Sequence, residues 1–547
     1  MEKEYMKGNQ LSTCNMKRNA FLILLAMLCC SVASAQPAYT VPTTVSKKKI
    51  LLEEFTGANC FWCSEGHKMA KYLLRAFPDS AYVVNIHTGG YAPTTGYEGG
   101  FRIAEGDSIG REFNADEAGY PSGMVNRHDF GQYTLSRSLW RDAAEILHAE
   151  DAPVNLQVRS AYDGQTGKLT VHVEGYFTAA KQAADQRLNV IWTQDDIIGY
   201  QNNGGRGDDY HHQHMLRGFI SPLWGDVISN ARQGEYFSKD YEMTLPEDVK
   251  GVKALPEDIQ VIGFITTGRD EVLNVDGGKP SYSNYAESEA GELYVPDMTI
   301  GTRYGFNFFE TYLKNHSTRV ITSATFDVTV NGITTETTID CQIGQFETSG
   351  ILHVPANLTF AEKGKTKYEV KLTKLNGVPV EGSSISGGFQ APIYTNSSVK
   401  VQIATDFKSS DNLFRLLDGD GNVLKVYGPF DDGKQSVVEE EISNLEEGKT
   451  YCIEIYDETG DGLLEGAKGY LITRTGTNKL IDQIYTISNF GTRSFFTVNT
   501  EAVGISHTET SADESAKDVY DLSGRRVDSP RARNIYIIGK EKKLLPR

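Results

Sequence analysis

Cysteine is scarce: 547 residues hold seven, and Cys14, Cys29 and Cys30 all fall within the first 35. A long chain with so few cysteines is not a disulfide scaffold. Positive charge is also short, with 54 Lys and Arg against 72 Asp and Glu and a formal charge of −18. That balance argues against nucleic acid and anionic membrane surfaces as partners. Apolar runs are brief; none reaches the ~20 residues of a membrane-spanning helix. His-Glu-X-X-His does not occur, and Gly382-Ser-Ser-Ile-Ser386 lacks the second glycine of a nucleophile elbow, so no hydrolase signature emerges.

What is present indicates folded chain. Hydrophobic residues make up 39%, with 28 Tyr and 24 Phe, and 53 Gly accompany a Thr-rich texture suited to many short strands and turns. The length exceeds what one core organises, so several folded units are expected.

Both ends read as address signals. Lys17 and Arg18 precede the apolar run Ala20 to Leu28, and Val32-Ala-Ser-Ala35 offers a small-residue cleavage site before Gln36. Residues 1–35 are therefore a signal peptide, and 36–48 a short linker. At the other end, Val519-Tyr-Asp-Leu-Ser-Gly-Arg-Arg-Val527 and Asn534-Ile-Tyr-Ile-Ile-Gly-Lys540 are two short strands around a polar turn. This pattern resembles the type A C-terminal sorting domain of the type IX secretion system of Bacteroidetes, with Asn534 where that family commonly has glycine. The resemblance assigns residues 501–547 to a linker and sorting domain. It implies the type IX machinery as a partner and the cell surface, outer membrane or exterior as the destination.

The chemistry centres on Ile50-Leu-Leu-Glu-Glu-Phe55, a buried-strand pattern that runs through a turn into Cys60-Phe-Trp-Cys63. Met69, Ala70, Leu73, Leu74 and Phe77 then recur at helical spacing until Pro78, and Ala81 to Ile86 is a second strand. The two strands of such a βαβ unit are parallel. Two cysteines three apart at a helix start can close a reversible disulfide, because the free N–H groups there favour a thiolate. Cys60, at the turn, is then the exposed nucleophile and Cys63 the resolving thiol. A permanent structural disulfide is the competing reading. A zinc half-site is a third, but no second Cys-X-X-Cys or well-spaced His pair completes it. Strand, Cys-X-X-Cys and helix in this order resemble a thioredoxin-type site. That resemblance implies a proton-transfer role for Glu54, six residues before Cys60. It also implies a cis-proline loop at Tyr120-Pro121, where Tyr120 meets extended substrate backbone. Ser136 can cap a last helix bearing Leu139, Trp140, Ala143, Ala144 and Leu147.

After Pro153 the period changes to two. The expected architecture is multidomain: an α/β thioredoxin-like domain at 49–152, then several β-sandwich domains of immunoglobulin-like or jelly-roll type. These are assigned to 153–285, 286–393 and 394–500. Glu54-Phe-Thr-Gly, the Cys-X-X-Cys, Asn85-Ile-His87-Thr-Gly and Gly119-Tyr-Pro-Ser-Gly-Met-Val-Asn-Arg127 together resemble the Omp-twenty-eight-related outer-membrane protein family of Bacteroidetes. The resemblance covers about residues 48–285, also taking in His214, Arg217 and Trp224-Gly225, and implies location and fold more than a reaction.

Weaker constellations remain. Asp208, Asp209, His211, His212 and His214 offer transition-metal donors in one polar loop, and Arg206-Gly-Asp208 matches an adhesion tripeptide. Asp457 and Asp461, in a Gly-rich turn, are candidate calcium ligands, with Asp418 and Asp420 behind them. Cys341 and Cys452 read as buried free thiols. Two functions follow. One is thiol–disulfide exchange on a protein thiol or disulfide substrate. The other is a non-enzymatic surface protein whose Cys pair is structural and whose β-modules bind a glycan or host protein.

Overall fold

The computed structural model describes residues 40–92, 101–180, 185–204, 208, 210–285, 291–294, 306–358, 365–405, 409–433, 436–457, 470–476, 479–484 and 491–503. Near the C-terminus it describes 519–520, 535–538 and 541–544. The signal peptide, the 504–517 part of the expected linker, Arg206, Asp209 and Asp461 lie outside these residues.

The chain enters the fold with β1 (Ile50–Thr56), followed by α1 (Cys63–Ala76) and β2 (Ala81–His87). β1 and β2 pair in parallel from Ile50↔Ala81 to Thr56↔His87, as expected for a βαβ unit. Two short helices, α2 (Ala104–Glu112) and α3 (Ala115–Ala118), lead to β3 (Ser122–Val125), which runs antiparallel to β1 on its other side. β4 (Leu135–Ser136) pairs with β3, and α4 (Trp140–His148) closes this part. The two-residue period of β1 decides what faces what. Ile50 and Leu52 share a core with Ala70 and Leu73 of α1 and Trp140, Ala144 and Leu147 of α4. Leu51 and Phe55 join Ile109, Phe113 and Phe264 on the opposite face.

The strands that follow are β5 (Val154–Asp163), β6 (Lys168–Phe177), β7 (Gln186–Gln194), β8 (Ile197–Gly199), β9 (Tyr210–His212), β10 (Met215–Phe219), β11 (Asp226–Val227) and β12 (Tyr236–Thr244). After them come β13 (Asp248–Val249), β14 (Val252–Lys253), β15 (Ile259–Thr267), β16 (Val272–Gly278) and β17 (Ser281–Ser283). The sequence suggests a separate sandwich over 153–285. Instead, β16, β15, β7 and β10 continue the first sheet, in the order β16-β15-β7-β10-β2-β1-β3-β4, with β11 on β7. The join is Met215↔Asn85 in parallel pairing, strengthened by Asn85 N to His214 O at 2.8 Å and Asn85 Nδ2 to Gln213 O at 2.9 Å. A second sheet, β12-β6-β5-β17, packs Val154, Leu169, Val171 and Val173 against Leu188, Val190, Trp192, Val261 and Leu273 of the first. One continuous sheet therefore runs from β1–β4 into β10, β7, β15 and β16, and the change of period at Pro153 marks a change of layer, to the second sheet.

The rest is β-rich, in separate sheets. β18 (Gly291–Tyr294) and β19 (Phe308–Asn315) open the next module, whose core includes Phe309, Leu313, Phe326, Val370 and Phe389. Another module packs two sheets between Ile393 and Val498 around Val401, Phe414, Ile453, Tyr470 and Phe496. At the C-terminal end, Val519–Tyr520, Ile535–Ile538 and Glu541–Leu544 form a three-stranded antiparallel sheet, one strand more than the two expected. Among the described residues no helix is long and apolar enough to cross a membrane.

Candidate functional site

Cys60 and Cys63 form a disulfide with their Cα atoms 5.4 Å apart. The geometry follows from the local chain. Cys60 N closes a turn on Gly57 O at 3.0 Å, and α1 begins at Cys63 with Trp62 as its N-cap. Gly57 is required there: a Cβ on it would stand 2.4 Å from the backbone carbon of Tyr91. The Tyr120–Pro121 peptide is cis, the expected loop conformation. Tyr120 OH donates to Asp116 Oδ1 at 2.8 Å, and burial followed by this bond pushes its phenol pKa up.

Glu54 is fully buried on the α1 side of β1, and neither carboxylate oxygen has a hydrogen-bond partner among the described residues. Burial holds its pKa well above the usual carboxylate range, and Arg137 opposes that rise only in part. Gly66 and Pro121 wall it in. A Cβ on Gly66 would fall 2.3 Å from Glu54 Oε1 and 2.8 Å from Pro121 Cβ. The disulfide helix, the cis-proline loop and the buried carboxyl therefore meet at one place.

Cys60 differs from its expected exposure: it is 3% exposed, and Cys63 is fully buried. The exposed groups are the two residues between them, Phe61 at 49% and Trp62 at 54%, with the Arg137 guanidinium 5.5 Å from the Trp62 ring. Cover comes from far along the chain. Gln201 Nε2 donates to Cys60 O at 3.0 Å, Asn202 N to Ala58 O at 2.8 Å, and Asn202 Nδ2 to Asn59 O at 3.1 Å.

The polar loop after β8 proves to be the β8–β9 hairpin, and its histidines diverge. His211 Nδ1 bonds Asp196, and His214 Nδ1 lies 3.1 Å from Asp195 Oδ1. His212 turns inward, with its ring 5.3 Å from His87, 6.1 Å from His67 and 4.8 Å from Phe101. Burial lowers His212 to about 3 and His67 to about 4, and keeps His87 well below its ordinary value, so these rings are neutral near pH 7. The inward cluster of His67, His87 and His212 was not legible in the sequence, because His212 joins the other two from far along the chain. Among the described residues no group of three His, Cys, Asp or Glu side chains is placed to hold a metal ion.

The remaining candidates sit apart. Asp457 is buried at a strand end, while its expected calcium partner Asp461 lies outside the described residues. Asp418 is engaged by Asp420 N and Asn422 N, each at 2.9 Å, and Asp420 Oδ1 accepts from Asn307. Cys341 and Cys452 are free thiols, each with a pKa raised by burial.

No curated protein matches the chain. Several solved structures resemble parts of it remotely. HBP35 of Porphyromonas gingivalis is 15% identical, covering 62% of this chain and 98% of its own, at a TM-score of 0.34. A domain of the outer membrane lipoprotein Omp28 from Porphyromonas gingivalis is 18% identical, covering 24% and 91%, at 0.18. The Bacteroides ovatus mixed-linkage glucan utilization locus protein SGBP-B, in complex with a heptasaccharide, is 11% identical, covering 63% and 66%, at 0.14. Residues 111–283 match the family described as outer membrane protein Omp28, a span that includes Pro121, Arg127 and the β8–β9 hairpin but begins after the cysteines. Over that span the chain is similar to the Omp28 outer-membrane proteins, and it is an exported protein of the outer membrane or cell surface.

Proposed function

We propose that this protein carries out thiol–disulfide exchange outside the cytoplasm, through a thioredoxin-like site formed by Cys60, Cys63, Glu54, Tyr120 and Pro121. The observation that carries the reading is the Cys60–Cys63 disulfide at the start of α1, beside the cis Tyr120–Pro121 peptide and the buried Glu54 carboxyl. The strand order β2-β1-β3-β4, with β3 antiparallel after the proline, supports it.

In the reduced protein, the helix N-terminus favours the Cys60 thiolate. That thiolate attacks one sulfur of a substrate disulfide, and the other sulfur leaves as a thiolate. The mixed disulfide is resolved when Cys63 gives its proton to the Glu54 carboxylate and attacks Cys60 Sγ. The second substrate thiolate departs, and Cys60–Cys63 is re-formed. Two electrons pass from the pair to the substrate, and the reverse sequence oxidises a dithiol. Glu54 suits this role because its raised pKa makes it a base nearer neutral pH than an ordinary carboxylate. Secretion through the type IX system would place the site at the surface. The test is turnover of a protein disulfide by the mature chain, abolished in Cys60→Ala.

A second reading rests on the burial of both cysteines. Here the pair is a structural bridge, and the modules of residues 286–500 bind a surface glycan or host protein, with calcium at Asp457 and Asp461 bracing one turn. Glycan arrays and pull-downs with the mature protein test it; absence of binding in both removes it.

A further inference from the structure

The β8–β9 hairpin links three parts of the molecule. On its inner side it reaches the cysteine loop: Gln201 and Asn202 together donate to the carbonyls of Gly57, Ala58, Asn59 and Cys60 at 2.8–3.5 Å. It also reaches the cysteine helix. Tyr210 OH bonds His67 Nδ1 at 2.8 Å, and His67 Nε2 bonds Thr56 Oγ1 at 3.0 Å, one helical turn after Cys63. On its outer side it is tied to the next module. His211 bonds Asp196, and Asp196 pairs with Lys314 Nζ, which also lies 2.8 Å from Asp258 Oδ1. Lys314 belongs to β19, and its side chain is 6% exposed. The same strand places Tyr312 beneath Lys71 of α1, 5.7 Å from the ring centroid.

We propose that Gln201, Tyr210 and, from the neighbouring module, Lys314 are positioning residues of the cysteine pair. They clamp the hairpin over Cys60 and set both how readily the disulfide is reduced and how fast a thiol reaches it. The inference rests on the exchange reading above. Its physical basis is that a disulfide confines the Cys60 and Cys63 backbones, whereas two thiols must separate. Hydrogen bonds from the clamp to four successive carbonyls oppose that separation and favour the oxidised form. A thiol attacking Cys60 must also reach a residue that is only 3% exposed and whose carbonyl the hairpin holds. The ion pairs of Lys314 make the clamp part of the packing of the next module, so a substitution there is felt at the cysteines.

The experiment equilibrates mature protein with dithiothreitol buffers, traps free thiols and reads the dithiol-to-disulfide ratio. Dithiothreitol supplies two electrons and two protons and leaves as its cyclic disulfide, so a low-potential pair is titrated as well as a high-potential one. Tyr210→Phe and Lys314→Met are each expected to move the ratio about five- to tenfold toward the dithiol, tenfold being 29.6 mV, and to speed thiol attack. Lys314→Arg, which keeps the charge, is expected to restore most of the shift. Tyr241→Phe is the matched control: it loses a hydroxyl bond to Asp226 of 2.9 Å away from the site and is expected to leave the ratio unchanged. Ratios within twofold of the parent in Tyr210→Phe and Lys314→Met, or an equal shift in Tyr241→Phe, overturn the clamp. Failure of the exchange reading shows separately, as lack of reaction of the parent protein with glutathione or protein disulfides.

Discussion

Arg127 grips Glu53 with both arms of its guanidinium, Nε to Oε2 and Nη2 to Oε1, each at 2.7 Å. Both side chains are buried. Nη1 donates to Arg269 O at 2.9 Å, and the guanidinium lies 5.3–5.9 Å from the rings of Phe113, Trp224 and Phe264. The pair joins β1 to the turn between β15 and β16 and so bridges the helical and all-β halves of the first sheet. Removing one partner strands the other charge in the core. Glu53→Ala is expected to cost ~3–5 kcal/mol, while Glu53→Leu with Arg127→Met costs much less. Urea unfolding of the two variants checks this, and equal losses would contradict it.

Glu54 gives a pH signature of opposite sign to most carboxylates. Its folded-state pKa is raised above the ordinary value of 4.5, so between those two values the folded protein holds a proton that the unfolded chain has lost. Stability contributed by this group therefore falls as pH rises through the window. Glu54→Gln removes the slope. The variant is expected to match the parent near pH 4.5 and to exceed it increasingly as pH rises above that value. Parallel urea midpoints across pH would count against a buried, unpaired carboxyl.

His67 and His212 act the other way. Burial lowers them to about 4 and about 3, so between those values and 6.5 the unfolded chain binds protons that the folded protein does not. Stability is lost as pH falls below 6.5, by up to ~1.4 kcal/mol per unit for each histidine. His212→Leu is expected to flatten the acid limb between pH 6.5 and 4, measured as the urea midpoint against pH. An unchanged limb would contradict a buried neutral His212.

Gly66 marks how closely α1 approaches the site. Gly66→Ala drives a methyl group into Glu54 Oε1 and Pro121 and is expected to cost ~1–3 kcal/mol. Gly90→Ala, where a Cβ meets nothing within 4 Å, serves as the comparison. Thermal unfolding that ranks the two equally would contradict the contact.

The site's frame was legible because its determinants are local. The period of Ile50 to Phe55, the spacing of Met69 to Phe77 and the Pro78 stop fix β1 and α1 within a few residues, and they carry Glu54 and the cysteines with them. The continuous sheet was not legible. β7 and β15 are buried on both faces, and such strands read alike whether they belong to a sandwich or extend a neighbouring sheet. Their link to β2 rests largely on Asn85 meeting Gln213, His214 and Met215, a long-range pairing that no periodicity records. The burial of Cys60 was hidden for the same reason: Gln201 and Asn202 lie more than 140 residues away in sequence.

The reduction potential of the Cys60–Cys63 pair in the mature chain tests the exchange reading most directly. A value between about −120 and −270 mV is expected, within the span of known dithiol oxidoreductases. A value below about −300 mV would mark a structural bridge and contradict it.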